Sequence, residues 1–220
     1  MVEISASILN LEEDNVIKKL YDLEAAKIDY FHIDVMDGIF VENNTVQKMK
    51  KYCEYLNNIS NLPIDVHLMV TNVKEYVNEF LVFKPNIITV HLEAFCNKDE
   101  LKEIIKYIKE NNTRVGISIK PDTKIDEIFD ILKYIHQVLI MTVEPGKGGQ
   151  SLIPQTLEKV KALNEFIKKE NIDIDIEVDG GINEKTAKEA KKAGANILVA
   201  GTAITRAEDY KKIVEELKKI

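Results

Sequence analysis

A closed, single-domain α/β fold, the (β/α)8 TIM barrel, is predicted for residues 1–220 on three observations. Short apolar runs recur eight times along the chain. Longer segments with apolar residues three and four positions apart lie between them, the period of a helix that buries one face. No linker, low-complexity tract or local repeat interrupts the alternation. Strands alternating with helices call for a parallel sheet, and eight of them suit a closed barrel better than a doubly wound open sheet.

Taken in order, the strand-like runs fall at 3–7, 30–34, 64–69, 87–91, 114–119, 138–141, 174–178 and 197–200. Helical patterns occupy 11–26, 98–111, 124–134, 157–170 and 184–193. Asn112, Asn171 and Gly194 stand where helices end, and these residue types tolerate the left-handed backbone of a helix C-cap. In this fold the functional site lies at the C-terminal ends of the strands.

Hydrophobic residues make up 45% of the chain and charged residues 30%, an ordinary globular balance. The formal charge of −7 argues against a nucleic-acid or anionic-membrane binder. It leaves room for a small anion held by backbone N–H groups. No apolar run approaches the roughly 20 residues that cross a bilayer. The opening MVEISASIL lacks the basic segment and cleavage pattern of a secretory signal. Cys53 and Cys96 form no CxxC pair and read as reduced thiols, so the expected location is cytoplasmic.

Side chains two apart on a strand share a face. In FHIDVMDG, Phe31, Ile33 and Val35 make an apolar face, while His32, Asp34 and Met36 occupy the other. Of the four histidines, His32, His67 and His91 sit near strand ends, whereas His136, in KYIHQ, reads as a solvated surface residue. His67 in IDVHLM and Asp179 in IEVDGG join His32 and Asp34 at one rim. Two imidazoles and two carboxylates suit one divalent transition metal: zinc, iron, manganese or cobalt. Two buried His–Asp pairs are the alternative for the same four groups. Met36, Met69 and Met141 read as a water-poor wall beside them.

Glycine-rich loops follow three consecutive strands: VEPGKGGQ over residues 143–150, then DGGIN, then AGTAI. Glycine lets the backbone approach a ligand and aim successive N–H groups at an anion. Three such loops at the last strand ends point to a phosphate.

These segments resemble the ribulose-phosphate 3-epimerase family of pentose phosphate metabolism, barrels of the ribulose-phosphate-binding type. The likeness runs through SASIL, HIDVMDGIFVEN, DVHLMV, VHLEA, MTVEPGKGGQ, EVDGGIN and AGTAI, nearly the whole chain. It implies that His32, Asp34, His67 and Asp179 bind the metal and that Asp34 and Asp179 are the catalytic acid–base pair. It further implies that Ser7 and His67 contact the substrate. Gly146, Lys147, Gly148, Gly149, Gly180, Gly181, Gly201 and Thr202 would receive the phosphate and nearby sugar oxygens. The chain departs from the family at Ala6 and Glu42 (often Pro), Lys147 (an aromatic) and Lys120 (Asn).

The resemblance implies a metal-dependent isomerase that interconverts D-ribulose 5-phosphate and D-xylulose 5-phosphate through an enediolate, assembled as a homodimer or hexamer. A D-allulose-6-phosphate 3-epimerase and a non-catalytic phosphate-binding barrel are the alternatives. A barrel lyase would need catalytic lysines and glutamates at strand ends, and Lys120 alone is suggestive.

Overall fold

A computed structural model describes residues 2–220. Eight parallel strands close into one barrel in chain order: β1 Glu3–Ser7, β2 Tyr30–Met36, β3 Ile64–Met69, β4 Ile87–His91, β5 Arg114–Ile119, β6 Gln137–Met141, β7 Asp175–Asp179 and β8 Ile197–Ala200. The first strand closes on the last, with Ile4 beside Leu198. The helices are α1 Val16–Ala25, α2 Val46–Ile59, α3 Val73–Leu81, α4 Lys98–Glu110, α5 Thr156–Glu170, α6 Glu184–Ala193, α7 Thr202–Thr205 and α8 Tyr210–Lys219. No helix among the described residues is long and apolar enough to cross a membrane.

The two-residue alternation divides the barrel into two environments. Ile4, Phe31, Ile33, Val35, Val66, Leu68, Ile88, Val90, Ile117, Ile140, Val178 and Leu198 belong to one apolar core with helix residues such as Leu20, Met49, Phe80, Leu101, Leu163 and Leu217. Each such side chain contributes about 1.5–3 kcal/mol by leaving water. The opposite face points into the barrel and is largely polar. Ser5, His32, Asp65, Thr89, Ser118, Gln137 and Glu177 are all buried there.

Three sequence expectations are corrected. The pattern at 124–134 forms two 3-10 turns, Ile125–Ile128 and Leu132–Tyr134, not an α-helix. Ile125, Ile128 and Ile131, and then Phe129, Leu132 and Ile135, are spaced by three, so a three-residue turn stacks each series on one side. The first helix starts at Val16 rather than Leu11, because Asn15 adopts φ 73°, a left-handed backbone that no right-handed helix continues through. Leu11 is instead buried in the preceding loop, where its carbonyl accepts from the Tyr52 hydroxyl at 2.9 Å. His136 is half-buried, and its Nδ1 accepts the Val115 N–H at 3.0 Å, so it caps the entry to β6. Asn112, Asn171 and Gly194 do take positive φ after their helices.

Inside the barrel Thr89 of β4 stands beside Gly116 of β5. A Cβ on Gly116 would lie 2.2 Å from Thr89 Oγ1. Gly116→Ala is therefore expected to cost about 1–3 kcal/mol in urea unfolding. Adding Thr89→Ala removes the blocking hydroxyl and methyl, so the double variant should recover much of that loss. Strictly additive losses would show that the contact is not the cause.

Candidate active site

The parallel register stacks the unusual side chains in one layer at the C-terminal rim. Asp34 pairs with His67 and Met36 with Met69 across β2 and β3. Ser7 pairs with His32, and Met141 with Asp179. His32 Nε2 and His67 Nδ1 lie 3.5 and 3.6 Å from Asp34 Oδ1. The same nitrogens lie 3.9 and 3.7 Å from Asp179 Oδ2. All four ligand atoms fall within 4.8 Å of one another.

These separations are too long for direct hydrogen bonds. Both nitrogens are buried and have no hydrogen-bond partner. A regular tetrahedron with edges of 3.5–3.9 Å places its centre about 2.1–2.4 Å from each corner, close to the distance at which zinc-like ions bind imidazole and carboxylate. The orphaned nitrogens and the mixed nitrogen–oxygen donor set thus fit a single divalent cation.

The layer beneath fixes these groups. His32 Nδ1 is 2.6 Å from Asp65 Oδ2, which also accepts from Ser5 Oγ at 3.0 Å. A ring that gives its Nδ1 proton to a carboxylate turns Nε2 toward the site, where a cation would take the place of the second proton. Glu177 accepts from Gln137 Nε2 and sits below Asp179 on the same face of β7. Asp65 and Glu177 also cluster around His32, but its Nδ1 is committed to Asp65 and leaves no lone pair for an ion there. These lower residues escaped the sequence reading. The signal was present: Asp65 precedes His67 by two, and Glu177 precedes Asp179 by two.

The two rim carboxylates differ in proton affinity. Burial alone would raise Asp34, but the His32 and His67 rings outweigh it and hold the group well below the ordinary carboxylate range. Asp179 is pushed up to about 6, first by burial and then by the charge of Asp34. His32 is raised because Asp65 and Asp34 overcome the burial that opposes its charge. Burial also raises Glu177, reinforced by the charge of Asp65.

Above this layer opens a cavity lined by Ser7, Asp34, Met36, Met69, Met141, Asp179, Gly146, Lys147, Gly148, Gly149, Gly180, Gly181, Gly201 and Thr202. Leu9, Asn10, Glu144 and Gln150 line it too, although the sequence reading assigned none of them to the site. His32 and His67 are fully buried and do not line it. Ser7 Oγ donates to Asp34 Oδ2 at 2.7 Å, leaving Oδ1 to face the imidazoles. The Lys147 ammonium lies 3.3 Å from Glu42 in an exposed ion pair, spanning the loops after β2 and β6.

The glycine loops converge. A Cβ on Gly148 would meet Asn10 Nδ2 at 2.6 Å, and one on Gly149 would touch Thr202. Gly181 has φ 67°, and a Cβ there would lie 2.3 Å from the Leu152 backbone nitrogen, so no larger residue fits. Two residues on, Asn183 caps α6 by accepting the N–H groups of Lys185 and Thr186, carrying the chain from the loop straight into the helix.

A closed parallel barrel with a cation-competent rim and a glycine-lined cavity at its C-terminal end has the layout of a (β/α)8 enzyme. Residues 3–205 match the ribulose-phosphate 3 epimerase family. The chain is 39% identical over 218 residues to ribulose-phosphate 3-epimerase of Methanocaldococcus jannaschii, covering 99% of this chain and 90% of that protein. It is 37% identical to ribulose-phosphate 3-epimerase of Bacillus subtilis, covering 99% of each. In fold it is similar to 3-keto-L-gulonate-6-phosphate decarboxylase from Vibrio cholerae, with TM-score 0.72 and 14% identity, covering 100% of this chain and 97% of that one. The chain belongs to the ribulose-phosphate 3-epimerase family, and it is a carbohydrate epimerase, a kind of isomerase.

The split between the rim carboxylates is directly measurable. In carboxyl-carbon NMR of metal-free protein, Asp179 is expected to titrate near 6 while Asp34 stays ionised below the ordinary range. Asp34→Asn removes a negative neighbour and should move the Asp179 midpoint down. A wild-type Asp179 midpoint near 4 would contradict the assigned field.

Proposed function

We propose that the protein interconverts D-ribulose 5-phosphate and D-xylulose 5-phosphate by moving a proton at C3, with one divalent cation held by His32, Asp34, His67 and Asp179. The observation that carries this reading is the placement of Asp34 and Asp179 on either side of two buried imidazole nitrogens that have no hydrogen-bond partner. Inverting a carbon beside a ketone requires a base on one face and an acid on the other. Two carboxyl groups whose environments drive their proton affinities apart meet that need.

An ordinary carboxylate is too weak a base for an α-C–H bond, and a bound divalent cation supplies Lewis acidity at the ketone worth several kcal/mol. In the forward direction Asp34 takes the C3 proton from one face. Asp179 returns a proton to the other face of the enediolate, and the two exchange roles in reverse. Ser7 holds Asp34 in place through its hydroxyl. Met36, Met69 and Met141 keep water from the reacting carbon. The N–H groups of the loops at Gly146–Gly149, Gly180–Gly181 and Gly201–Thr202 receive the phosphate.

Asp34→Asn and Asp179→Asn are each expected to lower kcat about 1,000-fold or more with the fold retained. Wild-type product formed in D2O should carry deuterium at C3. Near-wild-type turnover in either variant would remove the acid–base assignment, and a larger kcat/KM for D-allulose 6-phosphate than for D-ribulose 5-phosphate would reassign the substrate.

A further inference from the structure

His67 does not end at its own ring. Its Nε2 lies 2.9 Å from Nε2 of His91, and His91 Nδ1 lies 3.0 Å from Glu93 Oε2. The His67 and His91 rings stack at 5.0 Å, and the Phe40 ring covers His91 at 4.9 Å, so both imidazoles are sealed from solvent. The other oxygen of Glu93 accepts the Lys120 backbone N–H at 2.7 Å and the Thr123 hydroxyl. That loop is clamped in turn by the Lys159 ammonium, which donates to the carbonyls of Lys120, Pro121 and Thr123.

We propose that Glu93 and His91 are positioning residues that fix the tautomer of His67, a reading that rests on the cation site proposed above. A carboxylate only accepts, so the proton between Glu93 and His91 belongs to His91 Nδ1. The neutral His91 ring then offers a bare Nε2, and the proton between the two rings belongs to His67 Nε2. His67 Nδ1 is left with a free lone pair beside Asp34 Oδ1 and Asp179 Oδ2. His32 gives its Nδ1 proton directly to Asp65, so each candidate imidazole ligand is oriented by its own carboxylate. The difference is that His67 is served through an intervening ring.

Glu93→Gln keeps the shape and inverts the logic. Lys120 N–H and Thr123 Oγ1 demand the amide oxygen on their side, which turns the NH2 group toward His91. That group donates to His91 Nδ1, the His91 proton moves to Nε2, and the His67 proton moves to Nδ1. No proton is gained or lost, but a bare nitrogen is withdrawn from the site.

Two readouts test this. Long-range proton–nitrogen NMR of metal-free protein in mildly alkaline buffer should find His67 protonated at Nε2 in wild type and at Nδ1 in Glu93→Gln. Chelator competition with cobalt should show the variant binding about 10–100-fold more weakly while its melting temperature stays near wild type. A wild-type His67 protonated at Nδ1, or unchanged cobalt affinity in the variant, would overturn the relay. If Glu93→Gln does not fold, the wild-type tautomer decides alone. Wild-type protein that binds no cobalt would remove the cation site, and the tautomer, read without metal, separates that failure from failure of the relay.

Discussion

Two imidazole nitrogens, buried without a hydrogen-bond partner between two carboxylates, set the terms for the inside of this barrel. An unmet polar atom in a dry interior costs free energy, and a buried charge costs more unless it is paired. Four such groups at one point are tolerable only if something neutralises them together. Their convergence comes from register. Asp34 and His67 are neighbours across β2 and β3, His32 is two residues earlier on the Asp34 face, and β7 brings Asp179 from the opposite side.

The rest of the interior supports that point. Most TIM barrels fill the tube with branched apolar side chains. Here Ser5, Asp65, Gln137 and Glu177 occupy it instead, and the apolar core lies outside the barrel against the helices. The polar tube holds each imidazole in one orientation, and its low dielectric separates the rim carboxylates. Asp34 faces two rings and loses its proton readily, whereas Asp179, half-buried beside Asp34, keeps its own up to about 6. One arrangement of charges therefore suits both the cation and the acid–base pair proposed above.

Much of this was legible because strand periodicity is a two-residue rule and histidine beside aspartate is rare on a buried face. The barrel and the four rim groups followed from alternation, and the glycine loops that line the cavity from their composition, Gly181 being obligatory where Leu152 approaches. What stayed hidden depended on contacts between distant segments. Isoleucines three apart read equally as α-helix or 3-10 turn, and the packing after β5 chose the turn. His136 looked exposed because nothing local shows that Val115 needs an acceptor. Asp65, Glu177 and Glu93 look like ordinary acidic residues until the fold closes around the imidazoles they face.

Anomalous diffraction from crystals of the zinc- or cobalt-loaded protein tests the central claim most directly. The expected result is one strong peak bonded to His32 Nε2, Asp34, His67 Nδ1 and Asp179 together, at about 2.0–2.2 Å from each. A fully loaded crystal whose ion lies elsewhere, with His32 or Asp179 uncoordinated, would contradict it.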